Sequence, residues 1–318
     1  MFVIIGSTTA DWFIFSKQPF KNPGGDGFTA GNLVFCDDPP RLLLGGNGGC
    51  SAYVAAGLGR KTALCSAVGQ DDHGDRLFGW LQDRGVNLEA SICSENSATS
   101  NSTIIMSGAD HQSVFHHLGA TRDIRPDLIP PKLMSSAEVL FATSYSLIPA
   151  MRSGSLQGPF AAVRKAGGIN AIDIGPAIGE PVLLDELQPM LPFIDYLIAN
   201  SHELSVLTQS DDWEESCRRL LEFGHIHIVV KRGENGASIR GPEIEFDEPG
   251  FRVDANISVG AGDAFNAGLL CGVQQGWPLQ RALRFANGLA AMTVSSSSGV
   301  LDAPTQSQVE AFLSKQGI

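Results

Sequence analysis

The chain has 318 residues, 43% of them hydrophobic and 18% charged, and a formal net charge of −12. That suffices for one large α/β domain or two smaller ones, and the acidic balance excludes a nucleic-acid surface, because phosphate backbones are bound chiefly by clustered Lys and Arg. The six cysteines (Cys36, Cys50, Cys65, Cys93, Cys217, Cys271) contain no C-x-x-C pair and fall mostly in apolar patterns. They read as buried thiols of a reducing compartment and imply no zinc site.

Phe2 to Ile5 is a short apolar run ending at Gly6, suited to the first buried strand of a parallel sheet. The run is too short for a membrane span and no basic segment accompanies it, so a cytoplasmic location is expected. Asp11 follows a few residues later. It is either a solvated loop carboxylate or one of the ligand groups that collect at the C-terminal ends of such strands. Residues from about 12 to 44 lack a helical pattern and are rich in Gly, Pro, Phe and Asp. A second excursion, from about 97 to 120, alternates weakly around the turn at 107–110, and both read as strand-forming. His111, His116 and His117 lie in it, but adjacent side chains on a strand point to opposite faces, which disfavours a metal cluster.

Gly45-Gly46-Asn47-Gly48-Gly49-Cys50 leads into a small-residue helix from Ala52 to Leu58. Such a run is a hinge, or it lets backbone amides and the Asn47 side chain approach a polyol. Thr62 to Ala67 then reads as a strand, and Val68-Gly69-Gln70-Asp71 as the turn into a helix reaching about Arg84. Further strands at 138–142, 170–174 and 196–199 alternate with amphipathic helices near 158–166 and 181–191, which predicts a mostly parallel sheet covered on both faces.

Asn200-Ser201-His202-Glu203 has the spacing of a capping box at the start of the next helix. A strand from Ile226 to Val230 runs into Lys231-Arg232-Gly233-Glu234-Asn235-Gly236, where Asn-Gly signals a hairpin. Gly260-Ala261-Gly262-Asp263 opens a helix whose apolar residues include Ala264, Phe265, Leu269 and Leu270. Amides at such a helix start have no intrahelical partner and suit a phosphate. Asp263 either stabilises the helix dipole or accepts the proton of a hydroxyl that attacks phosphorus. Another helix runs from Leu279 to about Ser295 and carries Asn287, and a closing helix follows Pro304-Thr305.

Gly-Ala-Gly-Asp followed by Ala-Phe and a small-residue helix resembles the C-terminal motif of the ribokinase-like (PfkB) carbohydrate kinases. The other pieces of that family occur in the same order along the chain. The resemblance implies a three-layer α/β/α core with a mostly parallel central sheet and a small β-sheet lid. It implies one domain over residues 1–318, with the lid segments, about 12–44 and 97–120, inserted in the core. It also implies ATP-dependent phosphorylation of a hydroxyl of a small sugar, with Asp263 as catalytic base and the amides of Gly260, Ala261 and Gly262 as the anion hole. Asp11, Gly45, Gly46 and Asn47 would bind the sugar. Asn200, Lys231, Gly233, Gly236 and Asn287 would bind the nucleotide, and Glu203 with Asn200 would hold Mg²⁺ through water.

The capping-box reading of Asn200 and Glu203, the hairpin reading of Gly233 and Gly236, and a plain helix-surface position for Asn287 stand beside these roles. The chain departs from the family pattern at Cys50, where many members have an Asn, and at Lys231, where a cation replaces the usual Thr or Ser. Ile257 stands where many members have the Asp of a potassium site. Isoleucine offers no oxygen donor, so weak activation by potassium is expected, with Ile257 and Val259 holding the turn by packing. The lid implies a homodimer. A nucleoside kinase of the same family is the nearest alternative, given Trp12, Phe13, Phe15 and Phe28. A non-catalytic sugar or nucleotide sensor is a further one, opposed by the intact Gly-Ala-Gly-Asp. A dinucleotide-binding oxidoreductase is disfavoured, since no G-x-G-x-x-G follows the first strand.

Overall fold

The computed structural model describes residues 1–16, 36, 38–107, 111–176, 180–257 and 259–316. Its strands are β1 (Phe2–Ile5), β2 (Thr9–Ser16), β3 (Arg41–Gly45), β4 (Thr62–Cys65), β5 (Ala67–Gly69), β6 (Ile92–Ser94) and β7 (Asn101–Ser107). They continue with β8 (His111–His117), β9 (Val139–Ala142), β10 (Ile169–Asp173), β11 (Tyr196–Asn200), β12 (His227–Lys231), β13 (Ala237–Gly241) and β14 (Ile244–Glu248).

An eight-stranded sheet has the order β14-β13-β12-β11-β10-β9-β1-β4. Its six strands from β12 to β4 run parallel, and β13 and β14 close one edge antiparallel. The period of two explains the layers. Phe2 and Ile4 of β1 join the apolar cluster of the helices Asn47–Gly57, Asp72–Asp83, Ala261–Gln274 and Leu279–Val294, while Val3 and Ile5 join the opposite cluster, with Phe160, Leu204 and Leu220. Continuous apolar runs such as Phe2–Ile5 thus bury both faces, as a helix-covered parallel sheet requires.

A separate four-stranded sheet, β3-β2-β7-β8, forms the lid. β2 pairs antiparallel with β3 and parallel with β7, placing Asp11 opposite Ser102 and Phe13 opposite Ile104. Strands β7 and β8 lie in the second expected excursion. Most of the first, residues 17–35 and 37, lies outside the described residues, as do Phe28 and the expected turn residues 108–110. Asp71 caps the Asp72–Asp83 helix by accepting from Gly74 N at 2.9 Å, and it also accepts from Thr99 N at 2.8 Å and Thr99 Oγ1 at 2.6 Å. The turn at 68–71 therefore also pins the chain just before it enters lid strand β7.

Of the cysteines read as buried, Cys36 and Cys93 are exposed, and three expected elements need correction. The run 62–67 splits at Ser66: β4 joins the main sheet, whereas β5 pairs with β6. The helix expected from Ala52 begins at Asn47, because only Gly46 (φ 80°) needs the left-handed region and Gly48 packs against the Gly6 backbone, where a side chain would not fit. The helix expected over 181–191 is one α-turn, Leu184–Leu187, followed by a 3₁₀ segment, Gln188–Phe193. Pro189 and Pro192 lack the N–H groups an α-helix needs there.

Candidate active site

Gly260 caps the Ala261–Gln274 helix in the left-handed conformation (φ 84°), and a Cβ there would press into Val300. The turn delivers Asp263 to the first helical turn, where it is only 7% exposed. Asn47 Nδ2, at the start of a helix on the far side of the sequence, donates to Asp263 Oδ1 at 3.0 Å. Asn47 is itself held, since its Oδ1 accepts from Ser144 Oγ at 3.0 Å, and Ser144 Oγ lies 2.9 Å from Ser7 Oγ. Burial pushes the Asp263 carboxyl up to about 7. The Asn47 hydrogen bond opposes that rise, Asp173 adds to it, Lys231 opposes it, and Asp11 adds to it.

Asp11, on lid strand β2, is 5% exposed, and its Oδ1 has no hydrogen-bond partner among the described residues. Burial lifts it to about 7, with the Ser102 hydroxyl opposing. Gly45 makes room for it, because a Cβ at that position would collide with the Asp11 carboxylate. Gly49 N donates to Ser7 O at 2.9 Å, tying the glycine run to the end of β1. Cys50 is buried beneath, its thiol donating to Leu44 O at 3.3 Å, with burial and the nearby Asp263 and Asp11 pushing its pKa up.

At the other end, Asn200 and Glu203 form a reciprocal capping box: Asn200 N donates to Glu203 Oε2 at 2.7 Å, and Glu203 N to Asn200 Oδ1 at 2.8 Å. Burial and the neighbouring Asp173 lift Glu203 to about 7, opposed by Lys231 and the Asn200 amide. Lys231 Nζ pairs with Asp173 Oδ2 at 2.6 Å. Burial disfavours the ammonium, but Asp173 and Glu203 outweigh that and raise its pKa. Asp173 also accepts from Asn266 Nδ2 at 2.7 Å and Gly175 N at 2.8 Å.

Asp173 and Asn266 are not among the sequence-derived candidates. The available signals were the position of Asp173 at a parallel strand's C-terminal end and that of Asn266 three residues after Asp263. Among the described residues no cluster of three or more His, Cys, Asp or Glu is placed to hold a metal directly. A divalent cation bound through water near Glu203 would favour the ionised form of its raised carboxyl.

Gly233 (φ 59°) and Gly236 (φ 83°) shape the turn between the antiparallel strands β12 and β13, in agreement with the hairpin signal. A Cβ on Gly236 would run into the 248–250 backbone. Asn287 donates to Glu248 O at 3.2 Å and Pro249 O at 3.1 Å, so it braces the same backbone. Among the described residues, no hydrogen bond links this group to the Asn47–Asp263 and Asp173–Lys231 cluster.

Ile257 is buried with Phe13, Leu43 and Ile104 of the lid, and Val259 packs against that cluster. The approach to the glycine turn is therefore held by apolar contacts.

A mostly parallel sheet with helices on both faces, a β lid and a glycine turn presenting a buried Asp define a ribokinase fold. The *Arabidopsis thaliana* ribokinase solved in complex with ribose and ATP superposes with a TM-score of 0.82, at 23% identity over 98% of each chain. Residues 3–306 match the model of the pfkB family carbohydrate kinases, and the chain belongs to that family. It is similar to an ATP-dependent ribose-1-phosphate kinase of *Halopiger xanaduensis*, 30% identical over 85% of this chain and 87% of that protein. It is also similar to the aminoimidazole riboside kinase of *Salmonella typhimurium*, 29% identical over 85% of this chain and 89% of that one. No helix among the described residues is long and apolar enough to cross a membrane.

Proposed function

We propose that this carbohydrate kinase transfers the γ-phosphoryl group of ATP to a hydroxymethyl-type hydroxyl of a small sugar. The observation that carries the reading is the Asp263 carboxylate, buried at a glycine-opened helix start, oriented by Asn47 and electrostatically coupled to the lid's Asp11. Asp11, with a buried oxygen that has no partner among the described residues, accepts hydrogen bonds from sugar hydroxyls. Asp263 orients the attacking hydroxyl and takes its proton as the new O–P bond forms and the bond to the ADP oxygen breaks. The amides of Gly260, Ala261 and Gly262 bind the oxygens of the group in transit.

Gly45 and Gly46 shape the sugar side, and Gly233, Gly236 and Asn287 shape the nucleotide side. Glu203 and Asn200 would hold magnesium through water, and the chemistry it supplies there is neutralisation of the phosphate charge.

The burial of Phe13 favours a sugar over a nucleoside. Phe13 is consumed in packing with Ile257 and is not left to stack on a base, whereas Trp12 donates to His73 Nε2 at 3.3 Å. The protein acts as a cytoplasmic homodimer joined through its lids, a reading supported by the exposed Val114 and Phe115 on the edge strand β8. A screen of purified protein with ATP and magnesium against sugars and nucleosides tests the substrate. Sugar phosphate and ADP in equal amounts are expected, and faster turnover of nucleosides than of any sugar would replace this reading.

A further inference from the structure

We propose that Asp173 is a positioning residue that fixes the Lys231 ammonium at the glycine turn, where it forms the cationic part of the site for the transferred phosphoryl group. The proposal rests on the kinase reading above and adds a component to it.

Lys231 ends β12 and Asp173 ends β10, the two strands that flank β11. Their side chains meet across the end of β11, with Nζ 2.6 Å from Asp173 Oδ2. The ammonium also lies beside the catalytic helix, since a Cβ built on Gly262 would stand 3.8 Å from it. That placement has the wrong sign for the helix alone. The N-terminus of a helix carries positive partial charge, so a lysine there is repelled unless anions compensate. Asp173 is one such anion, but its oxygens are shared with Asn266 Nδ2 and Gly175 N. An arriving phosphoryl group would meet the helix amides and the ammonium together.

Asp173 also fixes geometry. Its Oδ2 takes hydrogen bonds from both Lys231 and Asn266, and Asn266 sits one helical turn beyond Gly262. One carboxylate therefore ties the flexible lysine stem to the helix whose amides face the phosphate. Electrostatic stabilisation of this kind is effective when the charge is in place before reaction. Lys231 stays protonated throughout, and the hydroxyl proton goes to Asp263.

The test combines calorimetric titration of ATP and of ADP, in magnesium buffer, with steady-state rates on the best sugar. Lys231→Met should weaken ATP binding about ten-fold more than ADP binding, because only ATP carries the γ-phosphoryl group, and lower kcat roughly 10²- to 10³-fold. Lys231→Arg should keep the preference for ATP. Asp173→Asn should leave the ATP Kd within about three-fold of wild type while kcat falls more than ten-fold, the mark of lost positioning rather than lost binding.

If either single variant fails to fold, the double variant Asp173→Asn/Lys231→Met removes both buried charges and should show the same loss of ATP preference. Equal weakening of ATP and ADP by Lys231→Met, or a fall in ATP affinity that tracks kcat in Asp173→Asn, overturns the proposal. Absence of sugar phosphorylation by the wild type would instead defeat the kinase reading, and the ATP-to-ADP comparison would still decide where Lys231 acts.

Discussion

Asn47 Nδ2 and Asp263 Oδ1 lie 3.0 Å apart, joining the first turns of two helices separated by 216 positions in sequence. The bond orients the carboxylate without consuming its second oxygen, leaving that atom to receive a proton. Asp263→Asn should fold and bind ATP, and should lose on the order of 10²- to 10⁴-fold in kcat. Near-normal turnover in that variant would sink the mechanism.

Asp11→Ala should act on the sugar. A carboxylate accepting hydroxyl hydrogen bonds contributes about 1.5–3 kcal/mol, which corresponds to a rise of more than ten-fold in sugar KM with ATP KM unchanged. Gly45→Ala should shift the same constant by displacing the Asp11 side chain. A fall in ATP affinity with sugar affinity intact would mean that Asp11 serves the other end of the site.

The raised carboxyls give a signed pH effect. Asp263 and Asp11 are held near about 7 by burial, so each binds its proton more tightly in the folded protein than in the unfolded chain. Their stabilising contribution is full below the unfolded value, about 4, and is lost as pH rises through about 7. The Tm of the unliganded protein should therefore fall between about pH 5 and about pH 8, and Asp263→Asn should flatten the fall. Calorimetry at the two pH values decides it. Parallel slopes for variant and wild type would count against the assignment.

Val114 and Phe115 are 52% and 61% exposed on the lid's edge strand. Phe115→Lys should dissociate the proposed dimer without unfolding the core. Sedimentation of the wild type as a monomer at micromolar concentration would remove the lid interface from consideration.

The Ile257 side chain offers no oxygen donor and is buried against the lid. Potassium added at constant ionic strength should change kcat by less than about two-fold, since alkali ions bind oxygen donors. A large potassium-specific rise would show that backbone carbonyls supply the site.

Local chemistry made much of this legible. The capping box at Asn200 and Glu203, the hairpin at Asn235-Gly236 and the left-handed Gly260 each depend on a few adjacent residues, so their types revealed them. The buried strands were equally readable, because a helix-covered parallel sheet leaves apolar runs. Asp173 was not. A single strand-end carboxylate has no local signature, and its partners Lys231 and Asn266 are 58 and 93 positions away. The start of the helix at Asn47 escaped for a related reason, since glycines give no sign of helix until Gly48 is seen packed on Gly6.

Phe13 stands two residues along β2 from Asp11, and Ile257 stands three residues before Gly260. The two share one patch of hydrocarbon with Leu43 and Ile104. Moving the lid or the turn alone would strip apolar surface from both. Contact of this kind depends on apolar burial, so high salt should leave the packing of lid on turn intact while a polar residue at 257 loosens it.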